Sequence, residues 1–208
     1  AIQVAPHGTT AYTDADSSCR VTAASVSCSF SSLAYSEGTR FDFRATATDA
    51  AGNVGVSSIR SDRMIDNTAP SEAISGFSSV WRNTDLSVSL TGTDGGSGIN
   101  QASYKFSAGL TCPPTAPTTT NAPASFAIST EGVIILCSRV SDNVGNWSQW
   151  IERTARIDKT IPITTIDGVP TDWTNQDPNI VITGADQPGL SGIDKSYWTV
   201  DGGSTQSG

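Results

Sequence analysis

The sequence predicts an all-β protein made of tandem two-sheet sandwiches, on three observations: composition, internal repetition and residue alternation. Only 15% of the 208 residues are charged, whereas there are 19 glycines and 10 prolines. This usage is typical of short strands joined by turns rather than of helices. The chain is also long enough for two cores, since modules of about 100 residues are the common size.

Internal repetition divides the chain. The pattern Asp-x-x-Gly-Asn at residues 49–53 recurs at 142–146, and Asp-x-Thr-x-Pro at residues 66–70 recurs at 158–162, spacings of 93 and 92. Similar spacings relate Trp81 to Trp173 and a Ser-Gly-Ile triplet at 97–99 to one at 191–193. A period of this size is a whole domain rather than a solenoid unit. We therefore predict an incomplete repeat over 1–70, a complete one over 71–162 and the opening part of a third over 163–208.

Alternation predicts the strands of the complete repeat. Apolar residues at period two indicate strands with one face on a core; they are Leu86, Val88, Leu90, Tyr104, Phe106, Ile134, Leu136 and Val140. A last strand is predicted over residues 147–157, after a turn at 142–146. The Pro- and Thr-rich run at 112–124 is predicted to be a long surface loop, because proline does not pair within a strand interior.

One set of motifs carries a family resemblance. In order, the first repeat has the cysteines Cys19 and Cys28, an acid-Gly turn at Glu37, an alternating strand at 41–47, the Asp-x-x-Gly-Asn turn and the Asp-x-Thr-x-Pro boundary. This order resembles the immunoglobulin-like and fibronectin type III-like repeats of large bacterial secreted and surface proteins. The resemblance implies immunoglobulin-like sandwiches in an elongated array. Such modules serve as stalks, adhesin segments and accessory parts of secreted hydrolases.

The cysteines indicate an oxidising, extracellular compartment. All four lie within their own repeats, no Cys-x-x-Cys spacing occurs, and there is only one histidine, so disulfides are favoured over zinc. We predict the bridges Cys19–Cys28 and Cys112–Cys137.

Charge limits the partners. A net charge of −8 disfavours nucleic acid and anionic membrane surfaces but leaves divalent cations open. No apolar run approaches the ~18 residues of a membrane span, so membrane insertion is not predicted here.

A calcium site is predicted at the repeat junctions. In a sandwich of this kind, the loop after the second strand and the last turn lie at the end where the linker enters. This places Asp66, Asp94 and Asp142 near one boundary, with Glu37 facing the same linker from the preceding repeat. Their counterparts at the next boundary are Asp158 and Asp186. Calcium takes about six to eight oxygen ligands. The alternative is that these acids only form tight turns, which select Asp and Asn for local hydrogen bonds, and keep the junction soluble.

Catalysis is not predicted. The one histidine, His7, lies beside Pro6 and Gly8 in an expected loop and is the one candidate base for a nucleophilic triad. We expect a non-catalytic extracellular segment with a structural or adhesive role: a spacer, a stalk or a surface filament component. Its expected partners are neighbouring repeats of the same or an adjacent chain, and cell-surface glycan or protein.

The alternative function is a carbohydrate-binding or accessory module of a secreted hydrolase, with tryptophans stacking on sugars. Packing in a core or between domains is favoured for most of Trp81, Trp147, Trp150, Trp173 and Trp198. Trp147 and Trp150 are predicted on opposite faces of one strand.

The first and third repeats are incomplete in opposite ways. Residues 163–208 supply the opening strands of a repeat but not its later strands, whereas residues 1–70 lack the first strand. We expect these residues to be an excerpt from a longer array. The alternative is that a neighbouring chain donates the missing strands and generates a filament.

Overall fold

The computed structural model describes residues 1–16, 37–199 and 206–207. Every regular element in these ranges is a β-strand, which confirms the predicted all-β class. Cys19 and Cys28 lie outside the described residues. Within the described ranges, no helix is long and apolar enough to span a membrane.

The N-terminal segment, residues 1–70, contains one described sheet. Its strands are β1 (Ile2–Pro6), β2 (Thr13–Asp16), β3 (Arg40–Thr48), β4 (Val54–Val56) and β5 (Arg60–Met64). The order is β2-β1-β3-β4, and β5 also pairs with β3. Alternating small, β-branched and aromatic residues in β1 and β3 favour this antiparallel pairing, which puts Val4 opposite Phe43.

The middle segment, residues 71–162, folds as two sheets. Its strands are β6 (Ser71–Ser75), β7 (Trp81–Arg82), β8 (Leu86–Thr93), β9 (Ile99–Ser107), β10 (Thr118–Asn121), β11 (Ala124–Ile128), β12 (Gly132–Asp142) and β13 (Ile151–Ile157). One sheet has the order β10-β9-β12-β13-β7 and the other β11-β8-β6. Pairing is antiparallel except between β7 and β13, which run parallel.

The core of the middle segment lies between these two sheets. Leu86 and Val88 of β8 pack with Ile134 of β12 and Ile157 of β13. As the alternation predicted, Ile134, Leu136 and Val140 are all buried. Period-two alternation brings them to one face, and burial of that face is the main apolar stabilisation of the segment.

The C-terminal segment, residues 163–208, begins with a hairpin that repeats an earlier one. Strands β14 (Ile163–Asp167) and β15 (Val181–Ala185) pair with Ile163 opposite Ala185. In β6 and β8, Ser71 lies opposite Thr93. Both residues of the pair are shifted by 92, so the two hairpins share one register.

The apolar residues at equivalent positions of these two hairpins differ in solvent exposure. Val88 is 2% exposed in the middle segment, whereas its counterpart Ile180 is 47% exposed. A last short pair joins β16 (Tyr197–Trp198) to β17 (Gln206–Ser207).

Two sequence predictions were wrong in detail. The last strand of the middle segment begins at Ile151 and not at Trp147, which makes only an isolated bridge to Ser141. The run 112–124 is not all loop, because Thr118–Asn121 pairs with β9. This strand contains no proline and lies at a sheet edge, where proline nearby is tolerated.

Candidate cation site and repeat junctions

Three aspartates meet where the linker enters the middle segment. Asp66, Asp94 and Asp142 each offer a carboxylate oxygen, and these oxygens lie within 4.8 Å of one another. Asp142 is fully buried, Asp66 is 7% exposed and Asp94 is half-buried. The predicted convergence of these three residues is therefore observed. It is the one group of three potential metal ligands found in the described parts of the chain.

Asp142 is held by its own turn. Its Oδ1 accepts the backbone N–H groups of Val144, Gly145 and Asn146 at 3.0, 2.7 and 2.8 Å. Its Oδ2 accepts Asn146 Nδ2 at 2.7 Å. This local bonding is what the turn interpretation of the motif predicts. The same Asn146 Nδ2 also donates to the carbonyl oxygen of Asp66 at 3.0 Å, which fastens the turn to the linker.

Asp49, the counterpart of Asp142 in the N-terminal segment, makes the same Asp-x-x-Gly-Asn turn but belongs to no aspartate cluster among the described residues. Its Oδ1 accepts the N–H groups of Ala51 and Asn53 at 2.9 and 2.8 Å, and its Oδ2 accepts Asn53 Nδ2. Bonds from the Asn53 side chain and backbone lower the pKa of Asp49. The motif alone therefore makes a turn, and the cluster requires the linker and the loop after β8 as well.

Asp66 joins the linker to that loop. Its Oδ2 accepts the Ser97 N–H at 2.6 Å, and its Oδ1 accepts the Thr68 N–H at 3.1 Å. The adjacent Ser97 side chain and N–H are the largest causes of a lowered pKa for Asp66. Gly96 leaves space for this carboxylate, since a Cβ there would lie 2.5 Å from it.

Asp94 provides the open ligand of the cluster. Its Oδ2 accepts the N–H groups of Gly96 and Gly98 at 3.1 and 2.7 Å. Its Oδ1 is buried and has no hydrogen-bond partner. Carboxylate oxygens buried together without a counter-charge are unfavourable unless a cation or a proton joins them. The all-oxygen donor set fits calcium.

The second boundary repeats part of this arrangement. Asp158 Oδ2 accepts the N–H and hydroxyl of Ser191, as Asp66 accepts the N–H of Ser97, and its Oδ1 accepts the Thr160 N–H. Ser191 is the largest cause of the lowered pKa of Asp158. Asp186 Oδ2 accepts the Gly192 N–H at 2.7 Å, and its Oδ1 is also buried without a partner.

Each linker is also bonded from the preceding repeat, at a Glu-Gly pair. Glu37 lies in an exposed turn, where the Gly38 N–H donates to the Ile65 carbonyl at 3.0 Å, directly before Asp66. Its carboxylate does not join the aspartate trio.

At the second linker the bonds come from a glutamate side chain, Glu131, which no sequence motif had singled out. Its Oε1 accepts the Lys159 N–H at 2.9 Å, and its Oε2 accepts the Thr160 hydroxyl at 2.8 Å. The signal was a Glu-Gly pair at 131–132, 94 residues after that at 37–38.

The bridge Cys112–Cys137 is formed, with Cα atoms 5.7 Å apart, which confirms that prediction. It fastens the loop after β9 onto β12. At the aligned position of β3, Arg44 lies 3.9 Å from the ring centre of Tyr12 and donates to Gln3 Oε1 at 2.8 Å. At this position the middle segment therefore has a disulfide, whereas the N-terminal segment has an arginine that contacts a tyrosine ring and a glutamine side chain.

Two of the five tryptophans are exposed, and none is fully buried in a core. Trp173 is fully exposed and Trp198 is 38% exposed, while the other three are half-buried. Trp147 and Trp150 do not lie on opposite faces, because both contact the guanidinium of Arg139. Residues 148–150 carry no strand pairing, so strand alternation does not apply to them.

His7 has a positional role in its loop. Its Nδ1 lies 2.8 Å from Asp42 Oδ1, which also accepts the Asp62 N–H at 2.8 Å. The His7 contact is the largest cause of a lowered pKa for Asp42. The buried carboxylate of Asp42 thereby joins the loop after β1 to β5.

Comparison of the chain with protein-family models, curated proteins and solved structures finds no match.

Proposed function

We propose that this chain is a non-catalytic extracellular segment of tandem immunoglobulin-like β-sandwich repeats, with a structural or adhesive role as a spacer, stalk or filament component. The observation that carries the proposal is the recurrence of one hydrogen-bonding arrangement at two boundaries 92 residues apart. Asp66 bonds the Ser97 N–H as Asp158 bonds the Ser191 N–H.

These contacts restrict the linkers from both sides. At the second boundary, Glu131 bonds linker residues from the preceding segment, and Asp158 bonds Ser191 in the following one. Hydrogen bonds to ionised groups are among the stronger ones. A linker bonded on both sides has less freedom, and an array of such joints keeps its length and direction.

Calcium completes the first junction in this proposal. The trio would supply three carboxylates, and the unpartnered Oδ1 of Asp94 would become a ligand. The buried disulfide Cys112–Cys137 supports an extracellular setting, where free calcium is plentiful and thiols oxidise.

The spacer role is tested by the tumbling of the segments. NMR relaxation on the full chain should give one rotational correlation tensor for the middle and C-terminal segments. The double variant Glu131→Gln/Asp158→Asn should separate the two tensors, whereas the exposed control Glu152→Gln should not. Independent tumbling in the unsubstituted chain would contradict the proposal.

The calcium part has its own test. Isothermal titration should detect one site in the chain, lost in Asp94→Asn and retained in Asp85→Asn, an exposed aspartate outside the cluster. If calcium gives no heat and no change in melting temperature, the cation is wrong, while the tumbling result still decides the spacer role.

A further inference from the structure

Arg139 occupies an unusual position on the outer face of the larger sheet of the middle segment. On β12, Leu136, Ser138 and Val140 face the core, so Arg139 projects from the opposite face. Its cross-strand neighbour on β9 is Ser103. The guanidinium carbon lies 4.2 Å from the ring centre of Trp147 and 4.5 Å from that of Trp150.

The guanidinium is held by these rings but not used as a donor. Its Nε is buried and has no hydrogen-bond partner, and its terminal nitrogens donate to no acceptor in the described chain. Those terminal nitrogens are not among the buried unpartnered atoms, so they reach solvent. Five of the other described arginines donate to a protein acceptor: Arg40, Arg44, Arg82, Arg153 and Arg156.

A stacked guanidinium with free N–H groups is a preorganised receptor for a carboxylate. Its planar fork matches the two carboxylate oxygens, and stacking on indoles fixes its plane before the ligand arrives. The terminal N–H groups that reach solvent have no acceptor in the described chain to compete with an incoming carboxylate. The net charge of −8 disfavours a polyanion and favours a ligand with a single charge at this site.

The two indoles restrict the class of ligand further. Trp147 and Trp150 place two large apolar rings beside one polar group, and such a site suits a ligand with both an apolar face and a charge. We propose that Arg139, Trp147 and Trp150 bind a carboxylate-bearing sugar residue, such as a uronic acid, through a bidentate pair to Arg139 and contacts of the sugar ring with the indoles. This site does not depend on the junctions or on calcium.

The ligand side is tested on the unsubstituted chain. Each of the five tryptophans gives one indole N–H signal, and Trp→Phe variants assign those of 147 and 150. Titration with the methyl glycoside of galacturonic acid, which carries a single carboxylate, should shift these two signals, and its methyl ester should bind about tenfold or more weakly. Equal binding of acid and ester would overturn the proposal. So would equal binding of acetate or of a tripeptide carboxylate, because the sugar ring would then contribute nothing.

The protein side uses Arg139→Lys, which retains the positive charge but removes the planar fork. We expect affinity for the methyl glycoside of galacturonic acid to fall about tenfold, with the amide spectrum of β12 retained. Arg156→Lys is the matched control, since Arg156 is on the same sheet and already donates to the Ser79 carbonyl at 2.7 Å. Unchanged affinity in Arg139→Lys, or the same loss in both variants, would overturn the assignment. Should Arg139→Lys not fold, the acid–ester comparison decides alone.

Discussion

A buried ion pair between the two sheets of the middle segment gives an asymmetric prediction. Glu72 on β6 accepts a hydrogen bond from Arg153 on β13, and Arg153 Nη1 also donates to Ser138 Oγ at 3.2 Å. The Glu72 side chain is 0% exposed, whereas that of Arg153 is 22% exposed. Glu72 Oε2 is buried without a partner. Removing Arg153 therefore strands a carboxylate that water does not reach, whereas removing Glu72 leaves a cation that water partly solvates.

The expected changes in unfolding free energy follow from this difference. Arg153→Met should cost about 3–5 kcal/mol, the usual effect of leaving a buried charge unpaired. Glu72→Met should cost less, about 1–3 kcal/mol. The double variant should be close to neutral or more stable than either single variant, because two apolar side chains replace two desolvated charges.

Urea titration of the full chain, followed by the amide NMR signals of β8 and β12, reads the stability of this segment alone. A double-mutant cycle from the four chains gives the coupling energy. Equal costs for the two single variants, or a double variant whose cost is their sum, would refute the reasoning.

Three further predictions concern the junctions and the bridge. Gly96→Ala should weaken calcium binding, measured by titration, and should disturb the Asp66 amide signals, because the new Cβ would lie 2.5 Å from the Asp66 carboxylate. Gly95→Ala is the control: a Cβ there meets nothing within 4 Å, so this variant should behave like the unsubstituted chain. Lowered pKa values for Asp66 and Asp158 mean that their contribution to stability is present above about pH 4 and is lost as pH falls from there through the folded-state pKa. The protection factors of the linker amides against hydrogen exchange should fall in that range, and unchanged protection factors down to pH 3 would count against it. Cys112→Ser/Cys137→Ser should lower the unfolding free energy of the middle segment by about 3.5 kcal/mol, the chain-entropy value for a loop closed over a separation of 25 residues, and an unchanged urea midpoint would contradict it.

The features that could be predicted from the sequence are those set by periodicity. Alternation in β12 placed Ile134, Leu136 and Val140 on one face, and all three are buried. The spacing of 92 to 94 aligned the boundary motifs, and the topology of a sandwich then brought Asp66 to Asp142 across 76 positions of sequence. Both inferences depend only on which residues share one face of a strand or one end of the sandwich.

The features that escaped prediction depend on side-chain geometry outside regular strands. Trp147 and Trp150 meet at Arg139 because residues 148–150 leave the strand pairing, and no period describes a loop. Thr118–Asn121 forms an edge strand among prolines, where composition favoured a loop. Glu131 was missed because its partners are linker backbone and hydroxyl groups, which no charge pattern reveals.

The repeats differ in a way that separates shared from individual roles. At the boundaries, backbone register and the aspartate bonds recur: Asp94 and Asp186 both accept a glycine N–H at 2.7 Å. On the outer sheet face they do not recur, since the N-terminal segment places Arg44 against Tyr12 where the middle segment has Cys137 in a disulfide. In the proposed tandem array, joints between repeats must fit one another, so their geometry is restricted by every neighbour, whereas an outer face has no such restriction. A ligand-binding function is therefore expected on the outer face of an individual repeat, which is where Arg139 and its two tryptophans lie.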